Sequence, residues 1–182
     1  MALWPNAWRN NLPWAGQAQA NTNVAEIRHT QNPAIQADIA VLQDNNWQLV
    51  HRLYDQAIDG GTVGTIDIFE VTGNVMVRVF AIGKVQPTGA ATPTVELGVA
   101  GSTATLLAQV ADARTIDTGD IWVDATPITK IEAVDFGGDH TFVISGGQDI
   151  IMTIGGEDLT AGEIDFYCYY KPLSPNGEVA PA

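Results

Sequence analysis

The sequence predicts a mostly β protein: an antiparallel β-sandwich or jelly-roll-like body, with an N-terminal extended arm and a short helical segment before it. Three observations predict this. From about position 60 onward apolar and polar residues alternate at period two, the pattern of strands with one buried face. Turn signals rich in Gly, Asn and Pro separate these runs about every ten residues. No strand–helix alternation of the kind that builds a parallel sheet occurs.

The chain divides into four stretches. Residues 1–31 are rich in Asn, Gln and Ala, contain Pro5 and Pro13, and show neither helical nor strand periodicity. Such a polar segment buries too little surface to fold alone, so it reads as an extended arm. It nevertheless carries Trp4, Trp8 and Trp14, three of the five tryptophans. Tryptophans in a polar arm suggest anchors, because aromatic rings bury large areas when they dock. Packing of the arm on its own body is the bland alternative.

Residues 32–59 read as a helical or linker segment. Asn32 is a good N-cap, and Pro33 is tolerated at a first helical position. Apolar residues then fall at Ile35, Ile39, Leu42, Leu49 and Leu53, a heptad-like stripe with Asn46 at the skipped position. The stripe makes these five residues candidates for oligomerisation, and isoleucine at the early positions leans toward three strands. Two other readings stand beside it. The segment could be an amphipathic helix on the body, or Trp47–Tyr54 could be a strand, since Trp47, Leu49, His51 and Leu53 also alternate.

Residues 60–174 form the predicted β body. The run Val75–Val85 is apolar on both faces apart from Arg78 and Lys84, which suggests a central strand. Val95, Leu97 and Val99 share a face, as do Phe142 with Ile144, and Ile150 with Met152 and Ile154. Ile164, Phe166, Cys168 and Tyr170 share another, with Glu163, Asp165, Tyr167, Tyr169 and Lys171 opposite. Turns are expected at Gly73-Asn74, Pro87-Thr88-Gly89, Gly101-Ser102, residues 137–139, Gly146-Gly147, Gly155-Gly156 and Ala161-Gly162. Seven to nine short strands fit that spacing. Residues 175–182, with Pro175 and Pro181, are expected to be an irregular tail.

Charge narrows the function classes. There are 21 acidic residues against 8 basic ones, a net charge of −13. Residues 61–182 alone carry −11, so the body is an acidic object that repels phosphate backbones, and no nucleic-acid partner is expected. No secretory signal is visible at Met1–Asn6, and no apolar stretch approaches the roughly 20 residues that span a bilayer. No membrane partner is expected either. One cysteine, Cys168, excludes an intrachain disulfide framework and a four-cysteine zinc site.

Catalytic chemistry finds little support. The three histidines are scattered: His29 in the arm, His51 in the second segment, His140 at an expected hairpin turn. No nucleophile elbow, phosphate-binding loop or dinucleotide fingerprint is present. Asp112, Asp117, Asp120 and Asp124 cluster in a loop-rich stretch, but their spacing fits no EF-hand. Solvated acids on an acidic body account for them. Cys168 reads as a small buried hydrophobe. The expectation is therefore a protein that is not an enzyme, with no cofactor, no metal site and no catalytic residues.

One resemblance sharpens this. Phe69–Phe80, Asp120–Pro127 and the segment from Gln148 through Ile164 and Tyr167 to Ser174 resemble small virion structural proteins of tailed phages and prophages, of the head decoration (cement) or head-fibre type. The resemblance spans roughly residues 65–179; the arm and the second segment lie outside it. It implies a β-rich body, a homo-trimer, and a terminal segment that binds the major capsid protein of the shell. It also implies a place on the capsid surface of the virion, after assembly in a host cytoplasm. The alternative it leaves open is a head or tail fibre, or a receptor- or glycan-binding β module, with Tyr167, Tyr169 and Trp122 stacking on sugar rings. A hydrolase working through paired carboxylates is the remaining rival.

Overall fold

A computed structural model describes residues 47–129 and 140–182. Trp4, Trp8, Trp14, Ile35, Ile39, Leu42 and the turn expected at residues 137–139 lie outside the described residues. Along the described chain the elements are β1 (Gln48–Asp55), a one-turn helix α1 (Gln56–Asp59), β2 (Gly64–Thr72), β3 (Val75–Gly89), β4 (Thr94–Val99) and β5 (Ser102–Val110). A 3₁₀ turn (Ala113–Thr115) follows, then β6 (Asp120–Trp122), β7 (Ile128–Thr129), β8 (Phe142–Ile144), β9 (Ile150–Gly155), β10 (Leu159–Pro172) and β11 (Glu178–Pro181).

The strands pair as a rolled hairpin. β1 pairs with β10, β2 with β9, β3 with β8, and β4 with β5, each antiparallel. Rolling that nested hairpin brings β10 onto β3 and β9 onto β4. Two sheets result: β1-β10-β3-β6-β7, with β8 also on β3, and β11-β2-β9-β4-β5. Nested antiparallel pairs split over two sheets are the jelly-roll form of a β-sandwich, in agreement with the predicted fold class. We call the sheets A and B in that order.

The alternating residues fill the space between the sheets. Val75, Val77, Ala81, Trp122, Ile164, Phe166 and Cys168 enter from sheet A; Ile68, Phe69, Val95, Leu97, Ile150, Met152 and Ile154 enter from sheet B. Gly73, at φ 65°, turns β2 into β3, and Gly101, at φ 82°, turns β4 into β5, both where the sequence places turns. Only glycine takes such angles without strain.

Four expectations are corrected. Residues 48–55, with Leu49 and Leu53, form strand β1 rather than the end of a heptad helix. β1 registers along its whole length with β10, so the period-two reading of Trp47–Tyr54 prevails over the heptad. Pro87-Thr88-Gly89 and Ala161-Gly162 are not turns but irregular ends of two long paired strands. β10 shifts register on β3 at Ala161, Glu163 and Ile164. Gly162 sits there at φ 137°, and a Cβ on it would meet Pro87 Cα at 2.8 Å. Proline gives no ladder donor, so it is tolerated at a bulge. Trp122, a residue of the glycan reading, is fully buried against Phe166 with ring centroids 6.1 Å apart. Finally, the tail is not irregular: Glu178–Pro181 is β11, paired to β2 with Val179 buried.

One side of the sandwich is closed by Arg52 on β1. Its guanidinium takes Asp59 through two bonds of 3.0 and 3.2 Å, and its Nε donates to the Ala182 carbonyl at 2.8 Å. Ala182 in turn donates its N–H to Ile68 O of β2. Burial pushes the Asp59 carboxyl up, but the hydrogen bonds from Arg52 and from the Asp55 amide outweigh it, and the group lies below its ordinary value of 3.8.

Two predictions follow from this packing. Gly162→Ala should destabilise the body by about 1–3 kcal/mol in urea unfolding, since the new Cβ strains both its own φ and the Pro87 contact. A depressed carboxyl adds stability above its ordinary value and loses it as pH falls through the lowered one. Asp59→Asn should therefore lower stability at neutral pH, and the gap to the unaltered protein should shrink once pH falls below 3.8.

Candidate binding face

The outer surface of sheet A is the feature that asks for a partner. Its side chains are fixed by register. On β1 they are Leu49, His51 and Leu53; on β10 Asp165, Tyr167, Tyr169 and Lys171; on β3 Met76, Arg78, Phe80, Ile82 and Lys84. Ile121 continues the face opposite Ile82, and Val143 opposite Met76. Leu49 is 51 % exposed and Val143 61 %, at opposite sides of the sheet.

The centre of the face is aromatic. Tyr167 stands between β1 and β3, with Phe80 stacked on it at 5.0 Å and 11° and His51 at 4.9 Å and 37°. Tyr169 lies 6.4 Å from Phe80 at 25°. Cross-strand neighbours of this kind stabilise a sheet. They also turn both ring faces of Tyr167 toward other rings. What the centre offers outward is the edges of these rings. At one end Trp47 covers the Arg78 guanidinium, 4.3 Å from the ring centroid, and Arg78 Nε donates to Thr141 Oγ1 at 2.8 Å.

Asp165 was expected on an exposed face and is buried there instead, at 5 % exposure. Its carboxylate ties three strands together. Oδ1 lies 2.7 Å from His51 Nε2 on β1, and Oδ2 3.3 Å from Lys84 Nζ on β3. A buried carboxylate is costly unless paired on this scale.

Sheet B presents the opposite character. Its strands contain Asp67, Glu70, Glu96 and Glu178 and no Lys, Arg or His, whereas β1, β3 and β10 of sheet A hold Arg52, Arg78, Lys84 and Lys171. Thr65 and Thr72 are exposed on its outer surface, and Thr153 lies on the same side with its hydroxyl buried. The acidic body is thus two-sided, and its strand cations belong to one sheet.

The remaining candidates have local work. Asp112 holds Arg114 through bonds of 2.8 and 2.9 Å, and those bonds keep its carboxyl low. Asp120 accepts from the Asp117 amide, Asp117 accepts from Gln86, and Asp124 accepts from Thr126. Among the described residues no group of three or more His, Cys, Asp or Glu is placed to hold a metal ion. Cys168 is buried, and burial pushes its thiol up to about 12. Burial, then Asp59 and Asp55, also raises Tyr54, whose hydroxyl donates to Gly60 O at 2.8 Å. No described helix is long and apolar enough to cross a membrane.

Of the eight residues singled out by sequence, the structure places two, Leu49 and Leu53, and both stand on this outer face. Phe80, Ile82 and Asp165 were missed as site residues. A signal for the first two existed, because the run from Val75 is apolar at every second position on both faces.

No protein-family description matches the chain, and no curated protein matches it. One solved structure is similar, described as the cyanophage Pam1 capsid asymmetric unit, with a TM-score of 0.45 and 14 % identity. The match covers 70 % of this chain and 86 % of that one.

The burial of Cys168 makes a simple forecast. At about pH 8 a thiol reagent should leave the native protein unmodified and label one cysteine after denaturation, because the thiolate is the reacting form. Prompt labelling of the native protein would contradict the placement.

Proposed function

We propose that this chain is a structural component of a tailed-phage particle, and specifically a capsid decoration (cement) protein with no catalytic role. The observation that carries the reading is the two-sided surface of the jelly roll: an aromatic, apolar face on sheet A against an acidic, threonine-rich face on sheet B. A surface of ring edges and aliphatic tips supports protein–protein contact, and a Thr- and carboxylate-bearing surface suits exposure to water. The sequence resemblance over residues 65–179 supports the same reading.

In this reading the partner is the major capsid protein, and Trp4, Trp8 and Trp14 are the anchors of the arm. Buried apolar area contributes about 25 cal/mol per Å². Several arms on one oligomer then gain by effective concentration. A ligand that binds the assembled lattice and not its dissociated subunits stabilises the shell by mass action. The place of action is the capsid surface of the virion.

The heptad basis for a trimer is weakened, since Leu49 and Leu53 belong to β1. The fibre or glycan-binding alternative loses Trp122 to the core, and Tyr167 has both ring faces occupied.

The test is co-sedimentation of the full chain with shells assembled from the major capsid protein of the same phage. Saturable, shell-wide binding is expected. Replacing Trp4, Trp8 and Trp14 together by Ala should abolish it while the β-rich circular dichroism spectrum is kept. Full binding by that triple variant would remove the arm from the mechanism, and no binding by the unaltered chain would remove the decoration role.

A further inference from the structure

We propose that Asn176 is a self-modification site: it deamidates by attack of the Gly177 backbone nitrogen, Ser174 promotes the step, and strand β11 responds to it. Asn176 is the only asparagine of the chain followed by glycine, and it is exposed in the turn between β10 and β11. Gly177 puts no side chain in the way of its own nitrogen. Ser174 supplies the activating group. Its hydroxyl accepts from the Asn74 N–H at 2.9 Å and donates to Asn176 Oδ1 at 2.9 Å. The first bond fixes the oxygen, so the proton is aimed at the Asn176 carbonyl. A donor on that oxygen stabilises the charge that develops there when the carbonyl carbon is attacked.

The step is a ring closure between neighbouring residues, so the encounter is intramolecular. Hydroxide from solvent takes the Gly177 amide proton. The nitrogen bonds to Asn176 Cγ, and the bond from Cγ to Nδ2 breaks with loss of ammonia, leaving a succinimide. Water then opens the ring at either carbonyl and gives aspartate or isoaspartate. The net change is hydrolysis of one amide, with no oxidant or reductant. One bond opposes the attack: the Gly177 N–H donates to Ser174 O at 2.8 Å and must let go first. It is a single bond in an exposed turn, of the kind that opens locally while the body stays folded.

The place of the turn gives the change a structural consequence. Leu173 donates its N–H to Asn74 O at 2.9 Å, and a Cβ on Gly73 would meet Asn176 Oδ1 at 2.7 Å, so this turn packs directly on the turn from β2 to β3. β11 begins at Glu178 and is held to β2 by four register pairs, with Val179 buried. Isoaspartate lengthens the backbone just before that strand, and either product adds a carboxylate to a chain already at −13. Both changes loosen β11. The proposal concerns the β body and does not rest on shell attachment.

The test incubates the native full chain at mildly alkaline pH and follows its intact mass and peptide map over days. Conversion is expected at Asn176 ahead of every other asparagine, with isoaspartate among the products. The converted fraction should show faster amide hydrogen exchange over Glu178–Pro181. Asn176→Gln should abolish the signal. Ser174→Ala should slow conversion about fivefold in the native protein, the rate equivalent of one hydrogen bond, and leave it unchanged in urea. Ser174→Thr, which keeps the hydroxyl, should keep the native rate. Were Ser174 only a brace for the turn, its removal would free the Gly177 nitrogen and conversion would speed up instead. A native chain that keeps the Asn176 amide, a Ser174→Ala variant that converts as fast as the unaltered chain or faster, or a converted fraction with unchanged exchange over β11 overturns the proposal.

Discussion

The register of β10 on β3 is the constraint on which the rest depends. These are the two longest strands, and they pair from Leu159–Gly89 to Pro172–Val75. β3 is largely apolar on both faces, so burial alone does not say which of its faces turns inward, whereas β10 sets Ile164, Phe166, Cys168 and Tyr170 against Glu163, Asp165 and Lys171. A slip by one residue would send Phe80, Tyr167 and Tyr169 into the core and expel Val79, Phe166 and Cys168. Neighbours on either side hold the register. Trp122, paired to Ala81, fits only the inner side, where its indole N–H reaches Ala108 O at 3.1 Å. Asp165 fits only the outer side, where His51 and Lys84 take its two oxygens. One large ring inside and one paired carboxylate outside thus fix the pairing.

The irregular end of that ribbon serves the same purpose. Three register shifts between Leu159 and Ile164, with Gly162 against Pro87, bend the long strands where they leave the sheet. Bulges increase twist and let a strand pass from one layer toward the other. The opposite corner is tied by Arg52, which joins β1, α1 and Ala182 through hydrogen bonds. Since β1 meets β10 more than a hundred residues away in sequence, folding must close a long loop before this corner forms. Such topologies fold slowly for that reason.

From this architecture the division of surface follows. Sheet B needs apolar side chains on one side of each strand and shows water the other, which is acidic and rich in threonine. Sheet A carries a second, partly apolar surface at no expense to the core, because Met76, Phe80 and Ile82 of β3 and Tyr167 and Tyr169 of β10 face away from it. That excess is the physical basis for reading the protein as a binding module.

The sequence by itself determined the sandwich class, the buried alternating sets of β4, β9 and β10, the central place of the Val75 strand and the glycine turns at Gly73 and Gly101. These are local facts, carried by period-two alternation and by backbone angles that glycine alone accepts easily. Tertiary structure alone decided the rest. Leu49 and Leu53 fit a heptad and a strand equally well until β10 supplied a partner ladder for β1. Glu178–Pro181 looked irregular because its pairing with β2 is formed with residues far away in sequence. Ala161-Gly162 has turn composition, yet it is a bulge because Pro87 packs against it from another strand. Asp165 is an ordinary surface acid by composition and becomes the buried tie of three strands through partners more than eighty residues distant, His51 and Lys84. Alternation specifies that a strand has two faces; which face meets the core, and which charges stand side by side, is set by contacts between distant segments that no local pattern encodes.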